Sequence, residues 1–224
     1  MSGKVIVTGA FGVLGRAVVE HLAASGVAVA SVDVAPAPGG TPAKIELGGV
    51  DLTNQGAVEE AYAKAAAELG GITGLVNIAG GFIWELVVGG DLAHFDQMYQ
   101  MNVRTAAVSC RSAIAHMGAG ASIVNIGAFA AANNPGAGMA SYAASKAGVH
   151  ALTISLAEEL KDKGVRVNAV MPTILDTPRN RADMPDADPA GWVKPSSAAK
   201  VIAFLLSSDS GPVTGALVPM TVGG

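Results

Sequence analysis

The stretch KVIVTGAFGVLG, residues 4–15, decides the fold class of this chain. Its first half, Lys4–Thr8, is a β-branched run typical of a buried strand, and its second half carries three glycines at the spacing G-x-x-G-x-x-G. A helical pattern follows at once, over Gly12–Ser25. Glycines let the backbone turn sharply and approach a diphosphate, whose charge then meets the amino-terminus of the helix. The stretch predicts a dinucleotide-binding unit, although a glycine trio alone also occurs in ordinary tight turns.

Strand and helix patterns alternate to the end of the chain. This repetition predicts one α/β domain over residues 1–224, a Rossmann-type doubly wound parallel sheet of about seven strands flanked by helices. Residues 173–194, rich in Pro, Asp and Arg, are predicted to form a substrate lid. The predicted strands are Lys4–Thr8, Ala28–Val32, Ile45–Leu47, Leu75–Ile78, Ser122–Ile126, Arg166–Met171 and Leu217–Val222. The predicted helices are Gly12–Ser25, Gly56–Leu69, Leu92–His116, Tyr142–Lys163 and Ser196–Ser207.

The composition excludes several classes of protein. Half of the 224 residues are hydrophobic, 14% are charged and 29 are glycine, which suits a sheet buried on both faces. The net charge of −4 argues against nucleic acid or an anionic membrane as a partner. No apolar run approaches the ~20 residues of a membrane helix, and no signal peptide precedes the first strand, so we expect a cytoplasmic protein. The four histidines have no metal-ligand spacing, so no metal is expected.

Asp33 closes the second predicted strand, 24 residues after Gly9. A carboxylate here can accept hydrogen bonds from both hydroxyls of an adenosine ribose. It would repel a 2′-phosphate by roughly 1 kcal/mol per charge pair in water and by ~4 kcal/mol at an effective dielectric constant near 20. Asp33 therefore predicts NAD as the cofactor, preferred over NADP by about tenfold or more. An aspartate that only starts a solvated turn is the alternative.

The stretch SYAASK, residues 141–146, opens a long predicted helix. Residues four apart lie on one helix face, so the hydroxyl of Tyr142 and the ammonium of Lys146 can converge on one site. A nearby cation favours the phenolate, so we expect the pKa of Tyr142 to be lowered toward the range useful for acid–base catalysis. A Y-x-x-x-K pattern is common by chance, but its place after the fifth strand of a dinucleotide-binding fold makes it specific.

Several short stretches match the pattern of one family in order. They are the glycine turn, Asp51-Leu52-Thr53, Asn77-Ile78-Ala79-Gly80, Asn102-Val103, Tyr142 with Lys146, and Pro172 with Thr177. Over essentially its whole length the sequence resembles the short-chain dehydrogenase/reductase family.

The resemblance implies roles for these residues. Tyr142 would donate a proton, Lys146 would bind the nicotinamide ribose, and Asn102 would hold a water in a proton relay. Asp51 and Leu52 would contact adenine. The implied cofactor-binding set is Gly9, Phe11, Gly12, Val13, Leu14, Gly15, Asp33, Asp51, Leu52, Ala79, Gly80, Lys146, Pro172, Leu175 and Thr177.

One departure from the family pattern bears on the substrate. The family usually carries a serine two residues beyond the Asn-Ile pair that closes the fifth strand, and here Ala128 or Phe129 stands in that place. Neither side chain has a hydroxyl to polarise a carbonyl oxygen. Loss of one such donor typically costs ~10²–10³ in rate. The sequence therefore argues against ordinary alcohol or ketone chemistry.

One branch of the family, dihydropteridine reductase, manages without that serine. The chain is similar to it in the spacing of the glycine turn, in the aromatic Phe82 after Gly80-Gly81, and in the lid from Leu175 to Trp192. The resemblance implies that a quinonoid dihydropterin is the substrate. Phe82 or Trp84 would stack on the flat ring, Ala128 would border it, and Arg179 would reach an anionic group; ordinary packing for the aromatics and a solvated charge for Arg179 are the alternatives.

Three functional hypotheses remain from the sequence. The first is an NADH-dependent reductase of a small conjugated molecule such as a quinonoid dihydropterin. The second is a carbonyl or 3-oxoacyl-thioester reductase that works without the serine. The third is a non-catalytic NAD-binding sensor, since a fold does not fix a function. By the same resemblance we expect a homodimer or homotetramer that packs through Leu92–His116 and Tyr142–Lys163.

Overall fold

All the strands belong to one parallel sheet. The computed structural model describes residues 3–223, which form a seven-stranded sheet in the order β3-β2-β1-β4-β5-β6-β7. The chain moves outward from β1 through β2 to β3 and returns to the other side of β1 with β4, so the strand order reverses between β1 and β4. This confirms the predicted single-domain, doubly wound fold. The strands are β1 (Lys4–Thr8), β2 (Ala28–Val32), β3 (Ile45–Leu47), β4 (Ile72–Asn77), β5 (Met117–Ile126), β6 (Arg166–Pro172) and β7 (Leu217–Met220).

Helices cover both faces of the sheet. The α-helices are α1 (Val13–Ala24), α2 (Gln55–Leu69), α3 (Ala93–Met98), α4 (Thr105–Ile114), α5 (Phe129–Ala132), α6 (Ala140–Leu160), α7 (Pro178–Asp183) and α8 (Pro195–Leu206). Side chains alternate across β1, so Val5 and Val7 pack with α1 and α8 while Ile6 packs with α2 and α6. Each face thus has its own apolar core, with the sheet between them.

Two strands begin earlier than predicted because glycine interrupts their pattern, and two strands end earlier than predicted. β5 begins at Met117, five residues before the prediction, because the glycines of Met117–Ala121 conceal its strand pattern. β4 begins at Ile72 for the same reason, since Gly74 lies within it, and it ends before Ile78. β7 ends at Met220, two residues before the prediction.

The predicted helix Leu92–His116 is wrong as a single α-helix. A π-helical segment, Tyr99–Arg104, separates α3 from α4 and carries Asn102. π-helical turns occur often at functional sites, and the apolar spacing of the sequence does not reveal them.

Residues 173–194 fold back on the end of β6. Leu175 pairs with Val193 through an isolated bridge, and α7 lies between them. In the described part of the chain, no helix has both the length and the apolar character needed to span a bilayer.

Candidate active site

Two glycines of the turn after β1 are required by close packing. Gly9 has a φ of 61°, and a Cβ atom there would lie 2.8 Å from the amide nitrogen of Ala79. A Cβ atom on Gly15 would lie 2.7 Å from the Cα of Ala10, so any side chain would collide with the backbone of the turn. The first turn of α1 therefore lies directly on the loop, which leaves the amino-terminus of the helix facing the cleft above it.

A cleft of about 610 Å³ lies above this turn at the carboxyl ends of the strands. It brings together most of the predicted cofactor-binding residues: Gly9, Phe11, Gly12, Val13, Leu14, Gly15, Asp33, Asp51, Leu52, Ala79 and Gly80. Sequence reasoning missed six further lining residues: Val34, Ala35, Thr53, Ile78, Met101 and Thr105. Of the predicted set, Lys146, Pro172, Leu175 and Thr177 do not line this cleft.

Asp33 joins the end of β2 to the glycine turn. Its Oδ2 accepts a hydrogen bond from the amide of Phe11 at 2.9 Å, and its Oδ1 accepts one from the amide of Ala35 at 3.0 Å. Each oxygen therefore holds one backbone amide in place, and the carboxylate also lines the wall of the cleft. Each oxygen keeps further lone pairs for a ligand, because an ionised carboxylate offers about four acceptor positions.

Asp51 lines the same end of the cleft. Its Oδ1 accepts hydrogen bonds from the hydroxyl and the amide of Thr53, at 2.7 and 2.9 Å. These two bonds, the side-chain bond first, hold the pKa of Asp51 below its ordinary value. The carboxylate therefore stays ionised at the adenine end predicted for it.

Lys146 lies on the second turn of α6 and is buried. Its Nζ donates a hydrogen bond to the carbonyl oxygen of Ile126 at 2.8 Å, and burial lowers its pKa to about 8. Burial raises the pKa of Tyr142 to about 12. The expectation that Lys146 lowers the pKa of Tyr142 is wrong for this structure, because burial of the phenol raises that pKa and the ammonium of Lys146 is hydrogen-bonded to the end of β5 instead.

Asn102 lies on the π-helical segment and reaches across to α6. Its Nδ2 donates to the carbonyl of Gly81 at 3.1 Å and to the hydroxyl of Ser145 at 2.9 Å, while its Oδ1 accepts from the amide of Gly81 at 3.0 Å. A Cβ atom on Gly80 would lie 3.5 Å from the Nζ of Lys146 and would overlap Asn102. Asn102, Lys146 and Gly80 are therefore neighbours, together with Ser145, which sequence reasoning missed.

Both candidate positions for the missing hydroxyl lie just beyond β5, and neither side chain has one. Ala128 lies two residues after the end of β5 and is 3% exposed, and Phe129 begins α5. The amide of Ala128 donates to the Nε2 of His150 at 3.2 Å. Sequence reasoning found no role for His150. In the sequence, the one feature that could have indicated a role for His150 is its spacing. It lies four residues after Lys146 and eight after Tyr142, on the same face of the helix.

Two aromatic side chains lie beside Tyr142 and the loop before α6. The ring of Phe82 meets the ring of Tyr142 edge to face, with centroids 4.9 Å apart and an interplanar angle of 78°. The indole of Trp84 packs against Gly138, whose φ of 78° and lack of a side chain make room for it. Phe82 is 48% and Trp84 60% exposed, so both retain free aromatic surface.

The predicted lid residues have structural partners. Pro172 ends β6, and the hydroxyl of Thr177 accepts from the amide of Asn180 at 3.2 Å and caps α7. Arg179 lies at the surface, with its Nε 3.4 Å from Asp183 on the same helix. The structure therefore places Arg179 in a solvated pair on the surface of α7. Within residues 3–223, no three His, Cys, Asp or Glu side chains cluster as metal ligands do.

Comparisons with known proteins agree with this architecture. A family model described as short chain dehydrogenase matches residues 3–188. The cis-4-hydroxycyclohexanecarboxylate dehydrogenase of Sinomonas cyclohexanicum is 33% identical, over 97% of this chain and 94% of that protein. The 3-oxoacyl-(acyl-carrier-protein) reductase of Thermotoga maritima is 30% identical, over 97% of this chain and 96% of that protein.

Solved structures have the same fold. A short chain dehydrogenase from Burkholderia cenocepacia J2315, in complex with NADP, superposes with a TM-score of 0.85 at 28% identity and covers 99% of this chain and 97% of its own. The family model and the two relatives cover most of the chain, and the seven-stranded sheet is the fold of these neighbours. The chain is therefore an oxidoreductase that belongs to the short-chain dehydrogenase/reductase family.

Proposed function

We propose that this chain is an NADH-dependent reductase of a small, flat, conjugated substrate such as a quinonoid dihydropterin. One observation supports the proposal: neither Ala128 nor Phe129 has a hydroxyl, and one of them stands where the family usually carries a serine. Removing such a donor typically costs about 10²–10³ in rate for chemistry at a carbonyl. An electron-poor conjugated imine accepts a hydride readily, and its proton goes to nitrogen, so its reduction depends less on an oxyanion donor.

The cleft residues fit a dinucleotide. Gly9 and Gly15 allow the backbone approach that a diphosphate needs, and no side chain would fit at either position. Asp33 would accept the ribose hydroxyls and would repel a 2′-phosphate, which favours NAD over NADP. Although the Burkholderia neighbour was solved with NADP, the carboxylate of this chain supports the opposite preference. The nicotinamide ring, when bound, supplies a hydride.

The titratable groups hold the protons that the reaction needs. A pKa of about 12 keeps the phenol of Tyr142 protonated throughout the physiological range, so it carries a proton to donate, as a weaker acid than a phenol with a pKa near neutrality. Lys146, with its pKa lowered to about 8, is still mostly protonated at neutral pH and would bind the nicotinamide ribose. Asn102, with its side chain between Gly81 and α6, would hold the water that returns a proton to Tyr142.

The walls beside Tyr142 favour a flat substrate. Phe82 touches the Tyr142 ring and Trp84 is fixed on Gly138, so the exposed faces of both aromatics can stack on a bicyclic ring. The segment 173–194 would close over it as a lid. Arg179 has a partner on its own helix, so we assign it no substrate contact.

A carbonyl or 3-oxoacyl-thioester reductase is the second candidate. The observation that favours it is the similarity to the Thermotoga maritima 3-oxoacyl reductase along almost the whole chain. A non-catalytic NAD sensor is the third, and the free Tyr142 and buried Lys146 argue against it because a pure binder has no need of a proton donor.

The proposal is tested by stopped-flow oxidation of NADH with freshly generated quinonoid dihydropterin, beside NADPH and an acetoacetyl thioester. We expect fast turnover of the pterin with NADH, abolished by Lys146→Ala and retained by Lys163→Ala, a matched exposed lysine beyond α6. Ala128→Ser should raise the thioester rate more than the pterin rate, because it restores the missing donor.

The alternatives give different results. Turnover of the thioester alone by the unmodified chain would support the second candidate and make the lid resemblance misleading. No turnover of any substrate, with NADH still bound tightly, would support the sensor.

We also propose a homodimer or homotetramer through α4 and α6. Ala147 and Ala151 are exposed small residues on one side of α6, which allow a second helix to approach closely. Sedimentation at micromolar concentration should give a multiple of the 22.2 kDa chain, and Ala151→Arg should reduce that mass.

A further inference from the structure

The end of β5 is held from α6 by two side chains one helical turn apart. Lys146 Nζ donates to the carbonyl oxygen of Ile126 at 2.8 Å, and His150 Nε2 accepts from the amide of Ala128 at 3.2 Å. Gly127 lies between these two bonds, and its own amide donates to the carbonyl of Val170 at 2.9 Å. The three consecutive residues therefore have fixed backbone groups on both sides.

The imidazole of His150 lies directly against this backbone. A Cβ atom on Gly127 would overlap the Nε2 and Cδ2 of His150, so glycine is the residue that admits the ring. His150 is 6% exposed. A buried imidazole this close to the backbone cannot move without moving the segment 126–128 with it.

The hydrogen bond defines the protonation state of the ring. An Nε2 that accepts from an amide carries no proton, so His150 is neutral with its proton on Nδ1. Burial, and after it the positive charge of Lys146, lowers the pKa of His150 below its ordinary value. Both the bond and the surroundings therefore favour the neutral ring.

We propose that His150 is a positioning residue whose neutral imidazole fixes the Gly127–Ala128 backbone and, through the adjacent carbonyl of Ile126, the ammonium of Lys146. The inference rests on the proposed function only for the part that Lys146 plays in turnover. In the family, the segment that corresponds to residues 126–128 usually leads into the serine. In this chain the segment is fixed by two side chains of α6 although it carries no hydroxyl.

Protonation of His150 would disrupt this arrangement in two ways. Nε2 would become a donor facing the donor amide of Ala128, so the hydrogen bond would be lost. A second positive charge would also arise one helical turn from Lys146. Repulsion between the two charges would weaken the hydrogen bond of the Lys146 ammonium to the carbonyl oxygen of Ile126. We therefore expect activity to fall as the pH falls through the pKa of His150.

Lys146 is the charged group that acts on His150 in the described structure. The segment 126–128 has no titratable side chain, and neither has α5. Other titratable residues on elements packed against α6 are His94, Asp96, Tyr99, Arg104, Lys161, Asp162, Lys163 and Arg166. Within residues 3–223, none of these hydrogen-bonds to His150; Arg104 donates to Thr53 and Arg166 to Ser210.

The first test needs no substrate. In ¹⁵N NMR titrations of the full chain, the His150 imidazole should titrate below the ordinary value of about 6.5, and the amide of Ala128 should shift with the same midpoint. His150→Gln keeps an acceptor near the Nε2 position but does not titrate, so the shift of Ala128 should vanish. His116→Gln, outside this cluster, should leave it unchanged.

The second test is the pH profile of turnover. The unmodified chain should lose kcat at acidic pH with the NMR midpoint, and His150→Gln should retain its kcat there. His150→Leu removes the acceptor and should lower kcat on the order of tenfold to a hundredfold at every pH, the cost of a small misplacement of reacting groups. Far-ultraviolet circular dichroism establishes that each variant is folded.

Two results would overturn the inference: an Ala128 amide that does not follow the imidazole, or an acid limb that persists with the same midpoint in His150→Gln. If the amide and the imidazole titrate together but no pterin is reduced, the positioning role stands and the proposed substrate fails. The two hypotheses are thus separable.

Discussion

Replacement of Asp33 by asparagine is the sharpest test of the cofactor preference. Asp33 accepts from the amides of Phe11 and Ala35 with its two oxygens. Asn keeps the shape of the side chain but has one oxygen and one NH₂ group. One of the two amides would then face a donor, and the negative charge at the cleft wall would be gone.

The structure sets the expected size of the effect. Repulsion between the carboxylate and a 2′-phosphate is worth about 1 kcal/mol per charge pair in water and about 4 kcal/mol at an effective dielectric constant near 20. Asp33 lies at the cleft wall between these limits, so its discrimination against NADPH should be tenfold or more, since each 1.4 kcal/mol is about a factor of ten. The loss of one hydrogen bond between a backbone amide and residue 33 should also weaken NADH binding, by about 1 kcal/mol or more, because the acceptor that is removed is charged.

The assay is equilibrium binding of NADH and NADPH, followed by cofactor fluorescence. In Asp33→Asn, the ratio of the two Kd values should move toward unity by about tenfold or more. Glu59→Gln removes the same charge on the outer face of α2 and should leave the ratio unchanged. Added salt should move the ratio of the two Kd values toward unity in the unmodified chain, because ions screen the repulsion between Asp33 and the 2′-phosphate. The ratio in the variant should not depend on salt. An unchanged ratio in Asp33→Asn would refute the reasoning.

Three further predictions follow from single contacts. Gly15→Ala places a Cβ atom against backbone that cannot move aside, and it should lower the free energy of unfolding in urea by about 1–3 kcal/mol and weaken NADH binding; unaltered urea midpoints would contradict this. Tyr62→Phe removes the buried hydroxyl bonded to Ser109 and should cost about 1 kcal/mol in the same assay, whereas a neutral result would mean that the bond is not stabilising. The Glu85 carboxylate accepts a hydrogen bond from His94 and raises the pKa of that imidazole. The pair therefore stabilises the folded chain fully at pH values below the pKa of histidine in the unfolded chain, and this stabilisation is lost as the pH rises through the raised pKa. Glu85→Gln should therefore return the NMR titration of His94 toward about 6.5.

Much of the fold could be predicted because local patterns and long-range packing agree. β1, β2 and β3 have the predicted bounds, since their apolar runs end at glycine or aspartate. Errors arose where a strand contains glycine, as in β5, because neighbouring strands rather than intrinsic propensity stabilise such a segment. The π-helical segment was not predicted because no spacing of apolar residues distinguishes it from an α-helix, and its contact from Asn102 to α6 joins residues 43 apart in sequence.

The cofactor cleft was largely predictable because its residues come from turns with strict backbone requirements. At Gly9 and Gly15 the residue type itself indicates a close backbone approach, and at Asp33 it indicates an acceptor at the end of a strand. The proton-transfer side was less predictable. Whether Lys146 lowers the pKa of Tyr142 depends on burial and on where the ammonium is bonded, and neither follows from a spacing of four residues.

The polar core behind the site lay beyond sequence reasoning altogether. Asn77 on β4 donates to Asn125 on β5 at 2.8 Å, and Asn125 donates in turn to Thr153 on α6 at 2.9 Å. The partners lie up to 48 residues apart in sequence, and each of these side chains alone resembles an ordinary buried polar residue. Only the assembled sheet brings them together.

Ala128 and His150 are best understood together. A serine at position 128 would act through its hydroxyl, and the position of that hydroxyl would depend on the backbone beneath it. This chain has no hydroxyl at residue 128, but the backbone there is fixed, with Lys146 on one side and His150 on the other. The methyl group of Ala128 can neither donate nor accept a hydrogen bond. Under the inference above, the fixed segment therefore acts through the position of Lys146 and not through the side chain of residue 128.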